Sequence, residues 1–199
     1  MAMTNAEKHR KVRKAQADNA DSHHHPEEKI AQLERLPEYL HGDILEVFGG
    51  EGNLTGFYRQ YGNVESMTKE THGDSFHAIY QLRADRRKFN VIDIDSYGYP
   101  NKFFPVVFEM MKDKGALLVF TFPIVGVQCV NGIYEQNYIN FWGTTRPTTG
   151  DVVGRITDHA LREWRLASLV DVVKIKPIWR FAFWVKRVKA TEFCNVRNR

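Results

Sequence analysis

Apolar positions along the chain keep switching between helical and strand periods. From Glu27 to Leu40, the residues Ile30, Leu33, Leu36 and Leu40 recur at helical spacing and predict a short amphipathic helix. Asp43 to Phe48 is an apolar run that stops at glycines, the pattern of a buried strand. A helix is predicted from Asn53 to about Tyr61, with Leu54, Phe57 and Tyr58 on one face. Val64 to Lys69 reads as a second strand. Asp74 to Arg87 reads as a helix with Phe76, Ile79, Tyr80 and Leu82 at its apolar positions. Val91 to Asp95 is a third strand, Lys102 to Lys114 a further helix, and Ala116 to Thr121 a strand of the central, all-apolar type. After a loop-rich stretch, Asp151 to Ala167 reads as an amphipathic helix.

Two closing strands, Leu169 to Pro177 and Trp179 to Val188, are separated by almost nothing. A parallel connection needs a dozen or more residues, so this pair must be an antiparallel hairpin. Alternating strands and helices imply an α/β fold: a Rossmann-like, doubly wound, mainly parallel sheet closed by a C-terminal antiparallel hairpin. The middle is short. Only about twenty residues separate Glu70 from Val91, enough for one helix but not for another strand and its crossover. No internal repeat is visible.

Residues 1–26 lack apolar periodicity and read as a basic arm, 27–190 as the domain, and 191–199 as a basic tail. The arm carries His23, His24 and His25, which as neighbours cannot easily converge on one metal ion, so no metal site is expected. No apolar run approaches the roughly 20 residues of a bilayer span, and Met1 to Ala20 is too polar for a secretory signal. The two cysteines, Cys129 and Cys194, form no CxxC pattern, which excludes a disulfide framework and suits a reducing cytoplasm. The net charge is +4, with basic clusters at Lys8–Lys14 and from Lys174 to Arg199, among them Arg180. Such clusters can track phosphates or form a solvated surface.

The densest chemistry lies in Ile44-Leu45-Glu46-Val47-Phe48-Gly49-Gly50-Glu51-Gly52-Asn53. A strand runs through an acid into closely spaced glycines and then a helix. Glycines there let the backbone turn sharply and approach a ligand. Glu70, 18 residues beyond Gly52, is expected at the end of the second strand, where a carboxylate can accept hydrogen bonds from ribose hydroxyls. Val91-Ile92-Asp93-Ile94-Asp95-Ser96-Tyr97-Gly98 is a strand ending in an acid and an aromatic–glycine turn. Asp93 and Asp95 share a face, Asp93 as a satisfied buried acid and Asp95 nearer the ligand-binding edge. Tyr97 can stack on a base or pack in the core.

With these residues, ILEVFGGEG resembles the first motif of class I S-adenosylmethionine-dependent methyltransferases, and DIDSYGYP resembles their fourth. The fourth is nearest to the Asp-Pro-Phe/Tyr-Gly turn of the tRNA N2-guanine dimethyltransferase group, with Ser96 in place of the proline. The similarity runs from about Gly42 to Pro123. It implies S-adenosylmethionine as cofactor, held by Glu46, Phe48, Gly50, Gly52, Glu70 and Asp95, with Asp95 and Tyr97 as the catalytic pair. It further implies transfer to an amino group of a nucleic-acid base. The residue that usually contacts adenine falls in the shortened middle, where Asp74 and Asp85 are the candidates. No tRNA-binding C-terminal domain is expected, and a fold kept only for binding or assembly is the alternative. The stretch after Pro123, with Tyr134, Tyr138, Phe141, Trp142, Arg146 and Pro147, suggests an acceptor-binding loop or an aromatic contact between copies in a homo-oligomer.

Overall fold

The computed structural model describes residues 25–50, 52–96, 100–123, 136–175 and 178–189. The chain enters through helix α1 (Pro26–Leu33) and a 3-10 turn (Pro37–Tyr39), then strand β1 (Gly42–Val47), α2 (Asn53–Tyr58) and β2 (Gly62–Met67). Two helices, α3 (Lys69–His72) and α4 (Ser75–Ala84), lead to β3 (Val91–Ile94). α5 (Phe104–Met110), β4 (Ala116–Pro123), α6 (Gln136–Trp142) and α7 (Thr149–Arg162) precede the hairpin of β5 (Arg165–Ile175) and β6 (Ile178–Arg187).

The sheet order is β2-β1-β3-β4-β6-β5. β2, β1, β3 and β4 run parallel, and β6 inserts antiparallel between β4 and β5. The expected doubly wound sheet, closing hairpin and shortened middle are all present. Among the described residues no strand lies between β2 and β3. Alternate strand residues feed two cores. Leu45, Val47, Ile92, Ile94, Leu118, Phe120, Phe181 and Phe183 point toward α4, α5, α6 and α7. Ile44, Val91, Leu117, Val119 and Ala182 point toward α1 and α2, where Leu33, Leu54, Phe57 and Tyr58 cover them. This alternation is what a sheet with helices on both faces demands.

Several boundaries differ from the sequence pattern for local reasons. The helix expected over Glu27–Leu40 breaks after Leu33, because Leu36 precedes Pro37 and is pushed out of the α region. α4 starts at Ser75 with Asp74 as its cap, the carboxylate accepting from Phe76 N at 2.8 Å. α7 starts earlier than expected, on a capping box of Thr148 and Asp151, and ends before Trp164, which takes φ 57°. Ala167 therefore lies in β5 and not in that helix. Part of the predicted loop after Pro123 is helix α6, and its Phe141 and Trp142 pack inward. Trp142 is buried, 4.9 Å from Phe122, and Phe141 stacks on Phe104 at 5.6 Å. That corrects the expectation of an exposed aromatic loop for Phe141 and Trp142. Arg146 is exposed, and Tyr134 lies outside the described residues. No helix among the described residues is long and apolar enough to cross a membrane.

Candidate active site

The strand order reverses between β1 and β3. The chain leaves β1 toward β2 on one side, then returns to β3 on the other. In open α/β sheets, ligands bind in the crevice beyond the carboxyl ends of the strands at such a point. β1 ends there in the glycine turn, and β3 ends in Asp95.

Phe48 leaves β1 at φ 72° and packs edge-on against Phe103 at 5.5 Å. Gly52 N donates to Gly49 O at 2.8 Å, closing the turn. Gly50 (φ 48°) and Gly52 (φ 86°) both sit in the left-handed region, which disfavours side chains. Among the described residues a Cβ at Gly50 would meet nothing closer than Phe48 O at 3.9 Å, an ordinary contact, so none of them crowds the backbone there. Gly49 differs: a Cβ would overlap Ser66 Oγ, because a buried polar cluster fills the space beneath the turn.

That cluster is built by register. Glu46 lies beside Ser66 on β2 and Asp93 on β3, so all three share one face. Glu46 is buried and accepts from the hydroxyls of Thr55 and of Ser66, the latter at 2.9 Å. Burial pushes its carboxyl up from 4.5 to about 7, against the pull of the two hydroxyls. Glu46 therefore shapes the glycine turn from below. Asp93 is completely buried. Its Oδ2 accepts from Tyr58 Oη at 2.6 Å and pairs with Arg180 at 2.5 Å, while its buried Oδ1 has no hydrogen-bond partner among the described residues, so it is a core acid as expected but only half satisfied. Arg180 is also completely buried, so it does not belong to the surface basic cluster suggested by the sequence.

Asp95 sits one step closer to the edge. Its Oδ1 accepts from Thr121 at 2.6 Å, its Oδ2 pairs with Lys29 Nζ at 2.5 Å, and Arg180 Nη1 lies 3.9 Å away. Burial raises the carboxyl, but the Arg180 and Lys29 charges outweigh it and hold Asp95 below the usual carboxylate range. Lys29 comes from α1 and is only 4% exposed. Gln32, one turn further on, donates to Arg180 O at 3.2 Å, so α1 is fastened to the site twice.

Sequence reasoning missed Lys29. The buried stripe of α1 is Lys29, Gln32 and Leu33, with Leu36 beyond, at i, i+3, i+4 and i+7. A lysine and a glutamine sharing a stripe with two leucines was the available signal.

Glu70 does not stand at the end of a strand. β2 stops at Met67, and Glu70 lies on α3 with its side chain exposed. Asp74 caps α4, and Asp85 accepts from Gln81 Nε2 at 3.1 Å, so both have local structural roles. Tyr97 lies outside the described residues. Among the described residues no group of three or more His, Cys, Asp or Glu side chains is placed to hold a metal.

The sheet order, with its antiparallel β6 inserted before β5, decides the fold. It is that of the class I methyltransferases. The crystal structure of an S-adenosylmethionine-dependent methyltransferase from Clostridium acetobutylicum superposes over 93% of this chain and all of its own, with a TM-score of 0.50 and 14% identity. Two curated proteins match in sequence. The mitochondrial tRNA (guanine(26)-N(2))-dimethyltransferase of Saccharomyces cerevisiae is 30% identical over 84 residues, 42% of this chain. The Drosophila melanogaster tRNA (guanine(26)-N(2))-dimethyltransferase is 30% identical over 60 residues, 30% of this chain. The chain spans only 15% and 10% of those two relatives. No family model matches it.

Proposed function

We propose that this methyltransferase-fold domain binds S-adenosylmethionine at the β1–β3 crevice and directs methyl transfer to an amino group of a nucleic-acid base. One observation carries the reading: the glycine turn, uncrowded by the described residues at Gly50, and the ionised Asp95 end two adjacent strands at the switch point. The cofactor would supply a methyl group on a sulfonium centre. Gly50 and Gly52 would line it with bare backbone, Phe48 and Glu46 would fix the turn, and Glu70 is the candidate partner for its ribose.

Transfer to an amine needs orientation more than acid–base power. It also needs an acceptor for the amine hydrogens. Asp95 suits that role. A carboxylate offers about four acceptor positions, and Thr121 and Lys29 each take one. The pair with Lys29 keeps Asp95 ionised, hence acceptor-only. The partial match to two tRNA dimethyltransferases supports a nucleic-acid acceptor.

A specific observation favours a second reading. Lys29 neutralises Asp95 at the place where an acceptor would dock, as expected of a fold retained for binding alone. The two readings separate in one experiment: calorimetry with S-adenosylmethionine, then labelled-methyl transfer onto mixed RNA and DNA. The enzymatic reading predicts binding, transfer, and loss of transfer in Asp95→Asn, with cofactor affinity lowered by no more than about fivefold. Tight binding without transfer to any acceptor establishes the second. Normal transfer by Asp95→Asn removes Asp95 from catalysis.

A further inference from the structure

The sheet face covered by α1 and α2 carries three carboxyl groups: Glu46 on β1, Asp93 opposite it on β3, and Asp95 just past the end of β3. Two of them own a cation. Asp93 pairs with Arg180 of β6 and Asp95 with Lys29 of α1, each at 2.5 Å. Tyr58 of α2 donates its hydroxyl to Asp93 at 2.6 Å. Glu46, only 1% exposed, pairs with no cation among the described residues. Its partners are the hydroxyls of Thr55 on α2 and Ser66 on β2. Two cations thus face three carboxyl groups. A charge left unpaired in such a place is costly, so Glu46 must hold a proton or a further positive charge must arrive.

Glu46 stands where it would feel such an arrival. A Cβ at Gly49 would lie 3.0 Å from Glu46 Oε2, so the carboxyl presses against the underside of the glycine turn. The cofactor proposed for that turn has two charge states. S-adenosylmethionine carries a sulfonium, whereas S-adenosylhomocysteine, left once the methyl group has gone, is a neutral thioether at the same sulfur. One added charge near a buried carboxyl shifts its proton affinity by a unit or more.

We infer that Glu46 is a specificity-determining residue for cofactor charge: it releases its proton to solvent when S-adenosylmethionine binds, keeps it when S-adenosylhomocysteine binds, and so favours the methyl donor over the spent product. The inference rests on the cofactor reading above and adds to it a proton that moves with the ligand. Burial is what lifts the Glu46 carboxyl to about 7, opposed by the Thr55 and Ser66 hydroxyls and reinforced by the Asp93 and Asp95 charges. A proton held that weakly is displaceable near neutral pH.

The test is calorimetry of the full chain with each ligand at pH 7, in phosphate and in imidazole, whose ionisation heats differ enough to reveal the protons released. S-adenosylmethionine should release about half a proton, the share that a group titrating near that pH still holds, and S-adenosylhomocysteine close to none. Between pH 5.5 and 7, below the α-amino range, wild-type affinity for S-adenosylmethionine should rise about fivefold while that for S-adenosylhomocysteine stays level. In Glu46→Gln, which keeps an acceptor for both hydroxyls, the proton release and the pH slope should vanish, and the preference for the charged ligand at pH 7 should fall about fivefold. The wild-type comparison of the two ligands needs no variant, so it decides the matter even if Glu46→Gln folds poorly. Equal proton release with both ligands, or release unchanged in a folded Glu46→Gln, overturns the role of Glu46 and leaves the cofactor reading standing. No heat from either ligand overturns the cofactor reading, and this role with it.

Discussion

Replacing Lys29 by methionine tests whether α1 and the candidate active site form one unit. The substitution keeps the volume of the aliphatic stem and removes the ammonium that pairs with Asp95 at 2.5 Å. Breaking a buried pair typically costs about 3–5 kcal/mol, because the remaining charge is stranded. Here Asp95 keeps Thr121 Oγ1 at 2.6 Å and Arg180 at 3.9 Å, and its side chain is 15% exposed. The loss should therefore fall below that range, near 2 kcal/mol. Urea unfolding of Lys29→Met, Asp95→Asn and the double variant isolates the pairwise part, expected at about 1–2 kcal/mol. A second consequence concerns the ligand. S-adenosylmethionine carries a sulfonium charge and S-adenosylhomocysteine does not. Freeing Asp95 should therefore raise the preference for the charged ligand by about 1 kcal/mol, roughly fivefold, for one charge at close range in a partly solvated crevice. Strict additivity in the cycle, together with an unchanged preference between the two ligands, refutes the coupling.

Glu46 gives a pH test. Its folded pKa of about 7 exceeds the ordinary 4.5, so the native state holds the proton more tightly than the unfolded chain. Stability is then lost as pH rises from 4.5 through 7, by about 3 kcal/mol in all. Glu46→Gln keeps an acceptor for Thr55 and Ser66 without this penalty. Its advantage over wild type in chemical unfolding should be near zero at pH 4.5 and grow to that size by pH 8; a constant difference contradicts the assignment. Arg180→Met strands Asp93 completely buried beside Tyr58 and should cost about 3–5 kcal/mol. Adding Asp93→Asn should recover most of it. Thermal unfolding equal in the single and double variants would rule out that pair as the buried tie of the sheet.

The framework was legible because it depends on period and spacing. The gap of almost no residues between the last two strands forces an antiparallel pair, and the short stretch before Val91 leaves no room for another strand. Asp93 could be placed because an acid inside an all-apolar strand needs a partner. That partner also stood in the sequence: Arg180 interrupts the apolar run IWRFAFW. It was grouped with the tail because its neighbours in sequence are basic. Glu70 was misplaced because the strand edge was read to Lys69, whereas pairing with β1 ends at Met67, opposite Val47. Lys29 was hidden for a different reason. Its contact spans 66 positions and depends on how α1 crosses the sheet, which no local pattern encodes.

The account depends above all on the bare backbone at Gly50, which the described residues leave uncrowded. Titrating S-adenosylmethionine calorimetrically into the wild type and into Gly50→Val tests it most directly. Saturable binding to the wild type is expected, with none to the variant, whose unfolding should still be cooperative after a strain cost of about 1–3 kcal/mol for a branched side chain at φ 48°. No heat from the wild type, or equal binding by both proteins, would contradict it.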